Sequence, residues 1–257
     1  MEALEHPLLI VELVNLVLGP AVTLLLRPLG FEPEPGHDVI PNYLVMCLVI
    51  VVGLTALSLV VRSRLSVEHP GKLQIILEDL VGALTGMLKE WIGPKGIRYL
   101  PIVGTLGLFI WVANMIGLVP GMMAPTSSIN VTLGCALTVF VYYHIEGVKE
   151  QGLGPYLKHF AAPPGAPLFI APIMLPIEII SHFSRVLSLS LRLFGNIFGE
   201  ELVILILFSI IPFLVPLPMM LLAIITGSLQ ALIFVILTMI YLAGAVATEH
   251  DHHEAHA

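Results

Sequence analysis

Ser188-Leu189-Ser190-Leu191-Arg192-Leu193-Phe194-Gly195-Asn196, followed closely by Glu200 and Glu201, sets an arginine in the middle of an apolar run from about residue 172 to residue 211. A charge in hydrocarbon costs about 3 kcal/mol on insertion scales, so an arginine kept there points to a use. Guanidinium is not deprotonated in a protein; Arg192 therefore carries no proton itself and only sets the field felt by a group that titrates. The competing reading is an arginine paired to a carboxylate for helix packing. The rest of the run favours the first. At about 100° per residue, Glu178, Ser181, Arg185, Ser188, Asn196 and Gly199 all fall within roughly 40° of Arg192, while Glu201 lies on the opposite side. Along the axis Glu178 precedes Arg192 by about 21 Å and Glu201 follows it by about 13 Å, at about 1.5 Å per residue. Two acids thus bracket the arginine from opposite membrane sides.

Composition supports a membrane setting. With 57% hydrophobic and 11% charged residues and a mean hydropathy of +0.98, the chain reads as an all-α polytopic membrane protein and not as a soluble core. Its net charge of -7 is spread over tails and loops and offers no surface to nucleic acid. Cys47 and Cys135 lie singly inside apolar runs, where a thiol behaves as a small hydrophobe; they form neither a disulfide framework nor a metal site. Neither a phosphate-binding nor a dinucleotide-binding glycine motif is present, so no direct nucleotide binding and no cofactor are expected. The histidine-rich end, Glu249 to His256, reads as a solvated terminus without a bound metal. No basic segment precedes the first apolar run, which is the pattern of a protein made without a removed leader.

Residues 8–26 are apolar but carry Glu12, Asn15 and Gly19-Pro20, which suits a helix lying in the interface better than a span. Together with the proline-rich loop that follows, they form a segment, 1–42, expected on the outer face. The next unit, 43–165, holds three spans at roughly 43–61, 100–119 and 129–146. Between the first two lies an amphipathic helix with Leu73, Leu77, Leu80, Leu84, Met87 and Trp91 on one face. In the third unit, 166–248, proline is absent between Pro176 and Pro212, so the run is expected to be one helix close to 60 Å long, about twice the hydrocarbon thickness and therefore strongly tilted. Pro212, Pro216 and Pro218 are expected to make the turn into a returning helix that carries Gln230. Residues 249–257 form the tail. Under this threading Arg62, Arg64, Lys72, Lys89, Lys95, Arg98, Lys149 and Lys158, eight of the eleven basic residues, fall on one side, which marks that side as cytoplasmic. The N-terminus is then outside and the C-terminus cytoplasmic.

These residues resemble subunit a of the F-type ATP synthases, the stator of the proton channel. The resemblance rests on Ser188 to Asn196, on Glu201, and on Leu229-Gln230-Ala231-Leu232-Ile233-Phe234. Pro70-Gly71-Lys72-Leu73-Gln74, Asn114 near Gly117-Leu118-Val119-Pro120, and Asn130-Val131-Thr132 add weaker support. It covers most of the chain from about residue 40 onward. It implies a bacterial plasma (inner) membrane location and a tilted helical hairpin packed on a rotating ring of c subunits. Arg192 would be the gate that faces the ring carboxylates. It further implies an outer half-channel with Glu201, Asn196 and Gln230, joined here by the neighbouring acid Glu200. Glu178, Ser181, Ser184 and Ser188 would form a cytoplasmic half-channel, with His182 and Arg185 beside it. Peripheral-stalk b subunits, the rest of the ATP synthase complex and the lipid bilayer would be the partners. Some members carry acids where Gly117 and Ser128 stand and a histidine where Ala223 stands, so the outer path here must be built differently.

Two other classes compete. A stand-alone ion transporter or channel would use Glu178, Arg192 and Glu201 as a mid-membrane site, but the arginine motif has no second copy in the chain. A structural anchor would leave the polar stripe without purpose.

Overall fold

Apolar residues recur along most of the chain, and the backbone forms helices wherever glycine and proline allow. The computed structural model describes residues 9–26, 39–119, 122–156, 171–210 and 215–246. In order these form α1 (Leu9–Leu26), α2 (Asn42–Ser63), α3 (Lys72–Ile92), α4 (Leu100–Ile116), α5 (Ile129–Gln151), α6 (Ala171–Ile210) and α7 (Pro216–Val246), with single 3-10 segments at Pro94–Tyr99 and Pro125–Ser127. Among the described residues, five helical segments are long and apolar enough to cross a membrane: those of α2, α4 with its 3-10 entry, α5, α6 and α7. The expected architecture is therefore present. The tail, the 163–165 loop and Pro212 lie outside the described residues.

Helix ends follow local chemistry. Gly93 (φ 88°) and Gly152 (φ 82°) close α3 and α5 in the left-handed region, where their N–H groups return to Lys89 O at 3.0 Å and Val148 O at 2.9 Å; glycine reaches this conformation without a Cβ penalty. Pro216 and Pro218, expected in the turn, instead occupy the first turn of α7, where a missing N–H breaks no helical bond. Pro176 sits within α6, but only five residues from its start.

α6 is 40 residues long, or about 60 Å at 1.5 Å per residue, against about 30 Å of hydrocarbon. A continuous helix of that length must lie well off the membrane normal. Its inner face places Val186, Leu189, Leu193 and Ile197 in one core with Tyr99, Val103 and Ile110 of the α4 segment, Val139 and Tyr143 of α5, and Phe234, Met239 and Leu242 of α7. Close approach of α4 and α7 depends on small residues. A Cβ on Gly107 would lie 2.5 Å from Val235 Cγ2, and one on Gly227 would lie 3.0 Å from Met115 Cε. Where no hydrophobic force drives helices together in lipid, such contacts and interhelical hydrogen bonds hold the bundle. Many leucines and isoleucines point outward, as a lipid-facing surface allows.

Two segments depart from their sequence reading in detail. Asn15, a polar intrusion in an apolar run, pairs with the backbone of Ile40, donating to its O at 3.1 Å and accepting from its N at 2.9 Å. It therefore fastens α1 to the start of α2. In α3 the fully buried residue is Leu88. Leu73, Leu80 and Trp91 of the expected apolar face remain exposed, while Leu84 lies beside Gly104.

Candidate functional site

α6 runs antiparallel to both α5 and α7, and cross-links between them give each polar group an axial position. From one end of the bundle to the other, α5 meets α6 at Thr132 with Ser190 (3.2 Å) and at Tyr143 with His182 (2.7 Å). α6 meets α7 at Glu200 with Thr226, at Asn196 with Gln230 (2.8 Å), and at Arg185, whose guanidinium lies 5.3 Å from the Tyr241 ring centre.

Arg192 is exposed on the outer face of α6, together with Ser188, Ser184 and Asn196; Ser181, Arg185 and Glu178 are half-buried. No acid among the described residues pairs with Arg192. Its guanidinium faces out of the helix bundle. A partner that buried this face in lipid would have to supply an anion.

Glu201 points the other way, as the helical angle requires. Its Oε1 accepts from the Ala124 N–H at 2.9 Å, and the Ser127 hydroxyl is a second neighbour. Gly117 makes room for it: a Cβ there would sit 3.0 Å from Glu201 Oε1 and 2.7 Å from Ala124 Cβ. The acid that others in the resembling family carry at position 117 would thus compete for the space Glu201 fills. Glu200 accepts from the Thr226 hydroxyl. Ala223 is buried in the same helix, and Ser128 opens α5, where its carbonyl accepts from Val131 at 3.2 Å.

Gln230 is 2% exposed. Its Oε1 receives the Asn196 bond, while its Nε2 is buried without a hydrogen-bond partner among the described residues. Nearby, Asn114 donates to Gly227 O at 2.9 Å and accepts from Thr126 at 2.8 Å, and Trp111 donates to Ser228 at 3.1 Å. These links extend a polar seam from Glu201 along α4 and α7. Sequence reasoning noted Asn114 but missed Thr126 and Ser127, whose only signal is that they sit in a Pro-Thr-Ser-Ser turn between two spans.

At the other end Glu178 Oε1 lies 3.3 Å from His182 Nε2. This cluster stands beside the α5 terminus that carries Lys149. There Arg98 meets Glu150 at 2.5 Å and Glu146 at 3.5 Å, Lys149 meets Glu146 at 2.6 Å, and Gln151 donates to Ala245 O at 2.9 Å. The basic ends of α5 and of the 3-10 segment and the end of α7 therefore share one side of the bundle. Glu201, beside the 124–127 turn, belongs to the other. Among the described residues no group of three or more metal-ligating side chains occurs.

Comparison with known proteins adds a family. The model of the ATP synthase A chain family matches residues 43–243. The chain is 48% identical over 228 residues to ATP synthase subunit a of Citrifermentans bemidjiense, covering 89% of this chain and 94% of that one. It is 42% identical over 245 residues to ATP synthase subunit a 1 of Pelobacter propionicus, covering 95% and 99% respectively.

Proposed function

The chain belongs to the ATP synthase A chain family, and on that premise we propose that it is the fixed subunit through which protons reach and leave a rotating ring of carboxylate-bearing c subunits. It is a multi-pass membrane protein with five helices fit to span, and its family places it in a complex with other ATP synthase subunits. The finer reading is that the ring packs on the outer face of α6 and α7, with peripheral-stalk b subunits holding the chain still. Bacterial relatives point to the plasma membrane. By the positive-inside rule the Lys149 side is cytoplasmic and the N-terminus outside.

The observation that carries this reading is the division of polar groups on α6. Arg192 faces outward without an ion-pair partner among the described residues, while Glu201 turns inward to the Ala124 N–H and Glu178 stands with His182 at the far end. In this account protons enter from outside through Glu201, Glu200, Asn196 and Gln230. They leave to the cytoplasm through Glu178, Ser181, Ser184 and Ser188, with His182 alongside. A ring carboxylate that meets the fixed guanidinium in low dielectric is favoured as the anion and gives up its proton, whereas one turned to lipid holds it. Arg192 also separates the two half-channels. A continuous path would discharge about 2.3 kcal/mol per proton per 100 mV without turning the ring. Nucleotide chemistry belongs to other subunits, since this chain has no phosphate-binding motif.

The test is Arg192→Ala in the assembled complex, reconstituted into vesicles. Proton-driven ATP synthesis is expected to be lost while the variant still inserts and co-purifies with the ring. Arg192→Lys is expected to fail substantially as well, because an ammonium is titratable and more strongly hydrated. Near-normal synthesis by an assembled Arg192→Ala complex contradicts the reading.

A further inference from the structure

We propose that Tyr143 is a positioning residue for the Glu178 carboxylate and acts through His182. The proposal rests on the reading above that Glu178 lines the cytoplasmic half-channel. Three side chains on two helices form a line: the Tyr143 hydroxyl lies 2.7 Å from His182 Nδ1, and His182 Nε2 lies 3.3 Å from Glu178 Oε1. Both ring nitrogens are therefore engaged, and an imidazole held at both ends can neither turn nor change tautomer freely. With Glu178 ionised, Nε2–H donates to the carboxylate, Nδ1 presents its lone pair, and the Tyr143 O–H donates to it. Donation at Nδ1 strengthens donation at Nε2, so the tyrosine reaches the carboxylate across the ring.

The line does not continue as a proton wire. Tyr143 is 2% exposed, packs edge-on to Phe140 at 5.6 Å and lies 6.3 Å from the Tyr241 ring, within the central apolar core. A proton passed from Glu178 to His182 and on to Tyr143 would arrive inside the apolar core, away from the polar stripe of α6. The arrangement suits a holder anchored in the core, with only its far end, Glu178, open to the stripe. Arg185 on α6, which lies over the Tyr241 ring, His144 on α5, whose ring centre lies 5.1 Å from that of His182, and Tyr156, 6.1 Å from the His144 ring, are charged and titratable neighbours among the described residues. In this geometry His182 orients the acid.

The experiment measures ATP-driven proton pumping by the assembled complex in vesicles. Tyr143→Phe keeps the ring and removes one hydrogen bond, and is expected to slow pumping about threefold. In a Glu178→Ala background, which is expected to pump more slowly than wild type, adding Tyr143→Phe is expected to change nothing further. A purely structural tyrosine would slow both backgrounds alike, and that outcome overturns the proposal; so does an unslowed Tyr143→Phe. His182→Gln sets an amide N–H near the place of Nε2–H, so it is expected to pump about threefold faster than His182→Leu. Equal rates for those two variants overturn the proposal even if Tyr143→Phe does not assemble. If Glu178→Ala pumps at the full rate, Glu178 is not on the path and the proposal falls with that assignment. A slowed Glu178→Ala beside an unslowed Tyr143→Phe removes the proposal alone.

Discussion

Asn196 donates a 2.8 Å hydrogen bond to Gln230 Oε1, tying the two longest helices together one turn beyond Arg192. The bond engages only half of the glutamine. Its buried Nε2 lacks a partner among the described residues, and such a group costs about 1–3 kcal/mol relative to a satisfied one. A leucine of similar volume would avoid that cost. Retention of an amide here fits a site that hydrogen-bonds something passing through, as the outer half-channel requires.

Gln230→Leu is therefore expected to leave the thermal midpoint of the purified complex unchanged or slightly raised, because the exposed Asn196 loses little and the buried amide is gone. Proton pumping is expected to fall several-fold. A lowered midpoint with full pumping would show that Gln230 serves packing alone.

Gly117 is the second point of leverage. A methyl group there meets Glu201 Oε1 at 3.0 Å and Ala124 Cβ at 2.7 Å, so Gly117→Ala must displace the carboxylate or the turn that holds it, at a cost of about 1–3 kcal/mol. Reduced thermal stability and slower pumping are expected together. Gly117→Asp is expected to be worse alone than combined with Glu201→Gly, because the pair exchanges which helix supplies the acid. If the double variant pumps no faster than the single one, the two positions do not share one space.

What the sequence alone disclosed was whatever depends on helical period. The α6 stripe and the opposition of Glu201 to Arg192 follow from counting about 100° per residue, but which face is covered does not; in the structure Arg192 is exposed and Glu201 meets the Ala124 N–H. Pairings between distant segments were not legible. Asn15 stands in an apolar run whose pattern carries no sign of its bonds to Ile40. Tyr143 is one aromatic among several on α5, and only the register of α5 against α6 brings it to His182. That Leu88 is the buried residue of α3 is not legible either, because an amphipathic pattern reveals a face but not how much of that face is covered.

The central claim is that two aqueous entrances approach Arg192 from opposite sides of the membrane and never join within this chain. Single cysteines at Ser181 and Asn196, with Cys47 and Cys135 replaced, can be challenged in sealed vesicles with a membrane-impermeant thiol reagent added to one side at a time. The account predicts that Ser181→Cys labels from the cytoplasmic side alone and Asn196→Cys from the outer side alone. Labelling of both cysteines from the same side, or the reverse pattern, would contradict it.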